Sequence, residues 1–567
     1  MKKIIVFLSL ILVLLLAGCM TNSKSSNTVD NIENIVVAID KDAEIMEGII
    51  IIGYKENKQD AIDLIKSIDE NAEIRADLEK INAISFKTSV SYKEMREKIM
   101  QELKNNISLR EKIKYVEPSY KRYLIEPVKN DNAKDLLERT VAKTKQFEPE
   151  EEEYWEWLWG IRKVKAPEAW ELGHTGEGII VAVIDTGVDG THPDLQGQLV
   201  EGYRPLTDEI LPAASDSSFG GAHGTHVAGT IAAKMDGTGV VGVAPNAKIM
   251  PIVIFDTGDP EPGGDGDYIG DDLVAVGFIW ALHNGARIFS NSWGGKGYSI
   301  TLANVISAVI ESGGVVVASA GNSHTDEIHY PSCYPGVINV AASTAVDGIT
   351  NFSTRGRWIT IAAPGDFTIL SSVPLWDTTE FFDSENPYAL YGGTSMATPH
   401  VSGVIALLLQ KLDEENSDYT VYQIRKHIAS TADDIMAIGF DHDSGWGRVN
   451  AYKALTHPLD DEKGANVIFS FYLQDQEGGI YYAPEVYVTM YPQNDTVPVY
   501  YGKSDIYGFL QMSGIEPGVY DVYMAFGDAA YLGLPVSMQI PRYRKITVMD
   551  GYNEFIEMFE FPGLIGG

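Results

Sequence analysis

Three short stretches carry residue types that can do nucleophilic chemistry. The first is Gly393-Thr394-Ser395-Met396-Ala397-Thr398-Pro399-His400, followed by an apolar run over 401–409 spaced like a buried helix. Ser395 therefore stands where a loop enters a helix. The first N–H groups of a helix lack internal partners, and negative charge is favoured there. A serine at that point either caps the helix or attacks a carbonyl while its own N–H helps to hold the oxyanion. Pro399 is expected to cost little so near the helix start. An attacking serine needs a base and an acid that orients the base. The run 179–184 reads as a buried strand and ends in Asp185-Thr186-Gly187, where α/β sheets place functional groups. His223-Gly224-Thr225-His226-Val227-Ala228-Gly229-Thr230 follows, running into a small-residue helix.

These motifs, in the order Asp, His, Ser, resemble the subtilisin-like (subtilase) serine endopeptidases over residues 155–455. The Gly-x-Ser-x-Gly elbow of α/β-hydrolases is absent. The resemblance implies Asp185 as orienting acid, His223 as general base and Ser395 as nucleophile. Asn322, in Ala320-Gly321-Asn322 after an apolar strand, would give its amide to the oxyanion. Ser292, Trp293, Gly294 and Gly295 follow another strand. Their paired glycines let a peptide backbone approach, and a substrate would add there as a strand. His329 would floor the pocket for the residue before the cut. His226, His283 and His400 read as structural. The resemblance also implies a structural Ca2+ site. Asp194, the Asp236 side chain and the carbonyls of Lys234, Thr238 and Val240 would supply oxygen, with one more ligand from Glu153 or Glu156.

The chain has 567 residues, too many for one core. A net charge of -35 argues against nucleic-acid binding and suits cation binding. Two cysteines, Cys19 and Cys333, make no disulfide framework; Cys333 reads as a free thiol without catalytic role. Residues 1–19 read as an export signal: Lys2 and Lys3, an apolar run, then Leu16-Ala17-Gly18-Cys19. The last four resemble a bacterial lipobox. Cleavage would leave Cys19 lipid-modified, tethered through 20–34 at the outer face of a bacterial membrane, with shedding after maturation as a further expectation. Ordinary signal cleavage, with Cys19 incidental, is the alternative.

Residues 35–125 read as a split β-α-β unit, with strands at 48–54, 72–78, 83–88 and 113–116 and helices at 60–69 and 92–103. Tyr115-Val116-Glu117-Pro118 resembles the end of an inhibitor-type prosegment, which implies that the tail after Tyr120 lies across the cleft. Residues 126–153 read as a linker holding the maturation cut. In 154–457, strands and helices alternate, which predicts a mainly parallel sheet with helices on both faces. An acidic, Gly-rich insertion at 256–272 reads as a solvated loop, with a second cation site or a charged rim as alternatives. Residues 458–567 predict an all-β sandwich, with strands at 467–473, 485–490, 497–501, 519–525, 545–548 and 554–559. Short segments there resemble transthyretin-like modules, with tyrosines assigned to packing.

The expected fold is thus α/β and subtilisin-like, with an N-terminal α+β prodomain and a C-terminal sandwich. The expected function is that of an exported, membrane-anchored serine endopeptidase made as a self-processing zymogen. Its partners would be protein or peptide substrates, its own prodomain as inhibitor and the membrane through Cys19. The alternative is a catalytically silent binding scaffold at the cell surface.

Overall fold

A computed structural model describes residues 43–128, 132–133, 136–137, 152–356, 358–377 and 387–460. In the C-terminal part it describes 464–474, 480–483, 486–493, 500–504, 509–526, 542–549 and 551–560. The leader, the tether and Cys19 lie outside the described residues, as does most of 126–153.

The N-terminal unit contains β1 (Ile45–Tyr54), α1 (Lys58–Ile68), β2 (Glu73–Leu78), β3 (Ala83–Lys87), α2 (Tyr92–Asn105) and β4 (Ile113–Tyr120). Asn57 and Ser91 cap the two helices through their side chains. Ala61, Leu64 and Ile65 on α1 and Met95, Ile99 and Leu103 on α2 recur at helical spacing and are buried. The antiparallel sheet runs β2-β3-β1-β4. A two-residue strand, β5 (Tyr123–Leu124), then leaves this unit.

The strands of the second unit are β6 (Ile180–Asp185), β7 (Gly202–Arg204), β8 (Glu209–Leu211), β9 (Lys248–Val253), β10 (Phe255–Asp256), β11 (Asp267–Tyr268), β12 (Ile288–Asn291), β13 (Trp293–Gly294), β14 (Val315–Ser319), β15 (Ile338–Ser343), β16 (Ile361–Pro364), β17 (Ile369–Ser372) and β18 (Tyr388–Tyr391). Its helices are α3 (His223–Ala232), α4 (Asp271–His283), α5 (Ile300–Glu311), α6 (Thr394–Glu414) and α7 (Val421–Ser430). The main sheet has the order β16-β15-β14-β12-β6-β9-β7-β8. All its pairs are parallel except the β7–β8 hairpin. Helices cover both faces, so the central strands are uninterrupted apolar runs; Val181, Ala182, Val183 and Ile184 are fully buried.

The insertion departs from a solvated loop. Asp259, Glu261, Asp265 and Asp267 are exposed, but Asp256, Asp271 and Asp272 are buried. β10 and β11 pair as a ribbon at its base. A charge enters the interior only when paired. Asp256 is held by Arg204 through two bonds of 2.7 Å, and the cations paired with Asp271 and Asp272 are Arg122 and Arg75, from outside the second unit.

The C-terminal part is all β. One sheet joins β19 (Ala465–Gln474) to β20 (Ile480–Tyr482), β23 (Phe509–Ile515) and β26 (Gly551–Glu560). The other runs β22-β21-β24-β25, from Tyr500–Lys503, Val486–Pro492, Gly518–Phe526 and Arg542–Val548. Val467, Phe469, Phe471, Val488, Met490, Val522 and Met524 fill one core. β20 and β23 were not among the expected strands; the serine and glycine of Gln511-Met512-Ser513-Gly514-Ile515 mask its alternation.

Candidate active site

β6 delivers Asp185 at its last residue, and α3 begins with His223. Thr186 ties the two together: its hydroxyl donates to Gly221 O at 3.0 Å and accepts from Gly224 N–H at 2.9 Å. Gly187, at φ +94, has no room for a Cβ, which would lie 1.7 Å from Ser217 O. His223 Nδ1 lies 2.9 and 3.1 Å from the two carboxylate oxygens of Asp185. Burial works to lower the His223 pKa, but the Asp185 charge and hydrogen bond outweigh it and hold the pKa above its ordinary value. His223 Nε2 is buried and has no hydrogen-bond partner among the described residues.

Ser395 is the second residue of α6 and fully buried. Its hydroxyl does not meet His223. It donates to Ile125 O at 2.7 Å and lies 3.3 Å from Ser292 O. The tail after β5 thus reaches the Ser395 hydroxyl, and the Glu126 charge acts on His223. Asn322 follows β14. Its Oδ1 accepts from Thr394 N–H (3.0 Å) and Thr394 Oγ1 (3.1 Å), which turns its Nδ2 toward the tail, where it donates to Glu126 O at 3.1 Å. Thr394 as the orienting group was not singled out in the sequence, although it sits beside Ser395 in the motif.

Pro399 needs a different account from the one expected. α6 starts at Thr394, so residue 399 lies in the second turn. An ordinary residue there would donate its N–H to Ser395 O. Ser292 Oγ takes that place, donating to Ser395 O at 2.9 Å. Ser292 therefore fixes the Ser395 backbone as well as leading into β13.

The edge expected for substrate is occupied. β13 pairs antiparallel with β5, Trp293 opposite Leu124 and Gly294 opposite Tyr123. Ile125 N–H reaches Ser292 O at 3.4 Å, and Val128 N–H donates to Gly392 O at 2.7 Å. A Cβ on Gly295 would lie 3.0 Å from Lys121 O, so a side chain there would press on the backbone of the tail. A Cβ on Gly294 would lie 3.8 Å from Ile125 Cδ1 and 3.9 Å from His329 Cβ, so both residues border Gly294. Burial holds the His329 imidazole below its ordinary pKa. Trp293 is buried and faces inward.

The N-terminal unit docks on the starts of two helices. Glu117 on β4 accepts from Ile300 N–H (2.9 Å) and Thr301 N–H (2.8 Å) at the start of α5, and from Ser299 Oγ (3.3 Å). Burial pushes this carboxyl up to about 7, against those bonds. Ser119 Oγ accepts from Asp271 N–H at 2.9 Å at the start of α4. Arg75 and Ser85 hold Asp272 at 2.5 and 2.6 Å. In sequence Asp271 and Asp272 look like loop charges because their arginine partners lie 149 and 197 residues away.

Asp194 is buried and accepts from Val240 N–H (2.9 Å) and Tyr388 OH (3.1 Å). Burial, with the nearby Asp236 and Glu152 charges, pushes its carboxyl up to about 7. Asp236 pairs with Lys234 Nζ at 2.6 Å. Glu152 Oε1 accepts from Gly237 N–H and Glu153 Oε2 from Gly239 N–H, at 3.2 and 3.3 Å. Of the expected Glu153 and Glu156, Glu153 thus reaches this loop, and the unexpected Glu152 beside it is buried. No backbone hydrogen bond among the described residues ends on the carbonyls of Lys234, Thr238 or Val240. No group of three or more His, Cys, Asp or Glu able to hold a metal occurs among the described residues.

His226 stacks on Tyr391 and is pushed down to about 3 by burial; His400 lies 2.8 Å from Met396 O and is pushed down to about 4. Both are neutral packing residues. His283 is exposed. Cys333 is a buried free thiol, pushed up to about 12 by burial.

Residues 176–447 match the profile of the Subtilase family. Fervidolysin of Fervidobacterium pennivorans is 42% identical over 503 residues, which are 86% of this chain and 69% of that protein. The chain belongs to the subtilase family. This subtilase is also 36% identical over 302 residues to thermitase of Thermoactinomyces vulgaris, across 53% of this chain and 96% of thermitase. The crystal structure of fervidolysin, described as a keratinolytic enzyme related to subtilisin, superposes with a TM-score of 0.79 at 36% identity. It covers 94% of this chain and 81% of that one. The subtilase is a serine endopeptidase of the subtilisin type.

Proposed function

We propose that Ser395 is the nucleophile, His223 its general base and Asp185 the acid that holds the imidazole. The Asn322 amide and the Ser395 N–H would receive the oxyanion. The first substrate is the chain itself, cut between Ile125 and Glu126 to leave residues 35–125 as a bound inhibitor. The observation that carries this reading is the 2.7 Å hydrogen bond from Ser395 Oγ to Ile125 O on a strand already paired with β13. The next bond, Glu126–Pro127, is a tertiary amide whose ring restricts Glu126. The hydroxyl donates to a carbonyl oxygen here instead of facing its carbon, an arrangement that suits a zymogen at rest. His223 then takes the hydroxyl proton as Ser395 attacks, and returns it to the Glu126 nitrogen as the bond breaks. Water releases the acyl-enzyme.

Incubation of purified precursor tests this. A product beginning at Glu126, absent in Ser395→Ala, supports it. An uncut precursor that ignores a serine-directed fluorophosphonate would leave only a binding scaffold.

A structural Ca2+ suits the Asp194 loop, since the donor set is all oxygen and the buried carboxylate lacks a cation. Asp194, Asp236 and the carbonyls of Lys234, Thr238 and Val240 would hold it, with the Lys234–Asp236 pair opening. Its contribution would be to pin residues 234–240 to the segment before Trp155. We assign export and lipid anchoring to residues 1–19 and Cys19; Cys19→Ser should release the protein from membranes, and retention would refute the anchor. Residues 458–567 are read as an accessory sandwich.

A further inference from the structure

The side chain of the tail that is most tightly enclosed is a cation. Arg122 lies three residues before Ile125, and its side chain is fully buried, as is that of Asp271. Arg122 Nε and Nη2 bond the two carboxylate oxygens of Asp271, each at 3.0 Å, in a fork-on-fork pair. Nη1 donates to the carbonyls of Lys296 (2.7 Å) and Gly297 (2.9 Å), with Gly295 O at 3.4 Å. Tyr268 OH donates to Asp271 Oδ1 at 2.7 Å and fixes the carboxylate from behind. Apart from the tail and Tyr120, whose ring lies 5.5 Å from the guanidinium, the groups that hold Arg122 belong to the second unit. Asp271 opens α4, Tyr268 ends β11, and Lys296 and Gly297 follow β13.

When the N-terminal unit leaves, Asp271 loses the Arg122 guanidinium and its bond from Tyr120 N–H. A carboxylate and a ring of carbonyls then remain, all acceptors. With only the Tyr268 hydroxyl left to donate to it, such a pocket costs free energy until a cation fills it. It lies on the strand register that β5 uses, so a substrate pairing with β13 places its fourth residue before the cut there.

We infer that the mature enzyme selects arginine at the fourth residue before the scissile bond, and that Asp271 is the residue that reads it. This rests on the reading that Ser395 cuts after the residue seated where Ile125 lies. The planar fork matches the carboxylate and the carbonyls together, so lysine, a point charge with three donors, is a poorer occupant.

The test uses the whole chain after self-processing and three quenched peptides. One copies residues 120–128, Tyr-Lys-Arg-Tyr-Leu-Ile-Glu-Pro-Val; the others carry Lys or Ala in place of its Arg. The Arg peptide should exceed the Ala peptide in kcat/KM by roughly thirtyfold, within the range of hydrogen bonds to charged groups, with Lys between. In Asp271→Asn the Arg-to-Ala ratio should fall to roughly threefold or less. Equal cleavage of the Arg and Ala peptides by the unaltered enzyme overturns the inference and leaves the catalytic reading standing. An Arg preference that survives in Asp271→Asn also overturns it. Cleavage of no peptide, together with an unprocessed precursor, overturns both readings.

Discussion

Raising the pH should loosen the N-terminal unit, and Glu117 sets the size of the effect. Its carboxyl is fully enclosed between β4 and the start of α5. Burial pushes its pKa from the ordinary 4.5 up to about 7, while the Thr301 side chain and the Ile300 and Thr301 N–H groups oppose the rise. The other charge facing it, Asp271, is paired with Arg122. Once released, Glu117 is solvated and returns to its ordinary value. The docked state therefore holds the proton more tightly than the released state. Docking is strongest below about pH 4.5, weakens as pH rises, and levels off above about 7. That interval corresponds to roughly 3 kcal/mol, or about two orders of magnitude in the dissociation constant. The assay is a calorimetric titration of the processed enzyme with the separated 35–125 piece at pH 5, 6, 7 and 8, with Glu117→Gln as the pH-insensitive control. A constant that does not move with pH, or the same slope in Glu117→Gln, would refute the reasoning.

Four further outcomes are expected. Asp185→Asn should lower kcat by about four orders of magnitude with little change in KM, because the imidazole loses its orienting partner; retention of a tenth of kcat in steady-state kinetics would contradict the assignment. Ser292→Ala should cost about 1–3 kcal/mol by leaving Ser395 O buried without a donor. Pro399→Ala in the same chain should recover much of that by supplying the missing N–H, which a double-mutant cycle in calorimetry would detect. Added Ca2+ should raise the unfolding temperature and a chelator lower it, with the response lost in Asp194→Asn. In a chain carrying Cys19→Ser, a thiol reagent should leave Cys333 unmodified until unfolding, since burial holds that thiol near 12.

The elements that could be read from the sequence are those whose signal is local. The apolar run before Asp185 and the helix signatures after His223 and Ser395 lie within a few residues of the groups they position, and all three elements form. The N-terminal helices carry their own caps and apolar stripes, so their spans also agree with the expected ones. What stayed hidden is settled by distant partners. Asp271 and Asp272 look like loop acids until Arg122 and Arg75 are brought to them. Pro399 looks harmless until the true start of α6 is known, and only the fold shows that Ser292 answers it. The β23 strand has serine and glycine within it, which weakens a period of two.

Asp185, Ser292 and Asn322 come at or just past the ends of β6, β12 and β14, three successive strands of one sheet. Adjacent strands lie about 4.8 Å apart, a distance set by peptide hydrogen bonds. The lateral spacing of acid, edge and amide is thus gauged by a ladder of main-chain bonds and owes little to the loops between. Insertions on the opposite rim of this sheet can lengthen or shorten without altering that gauge.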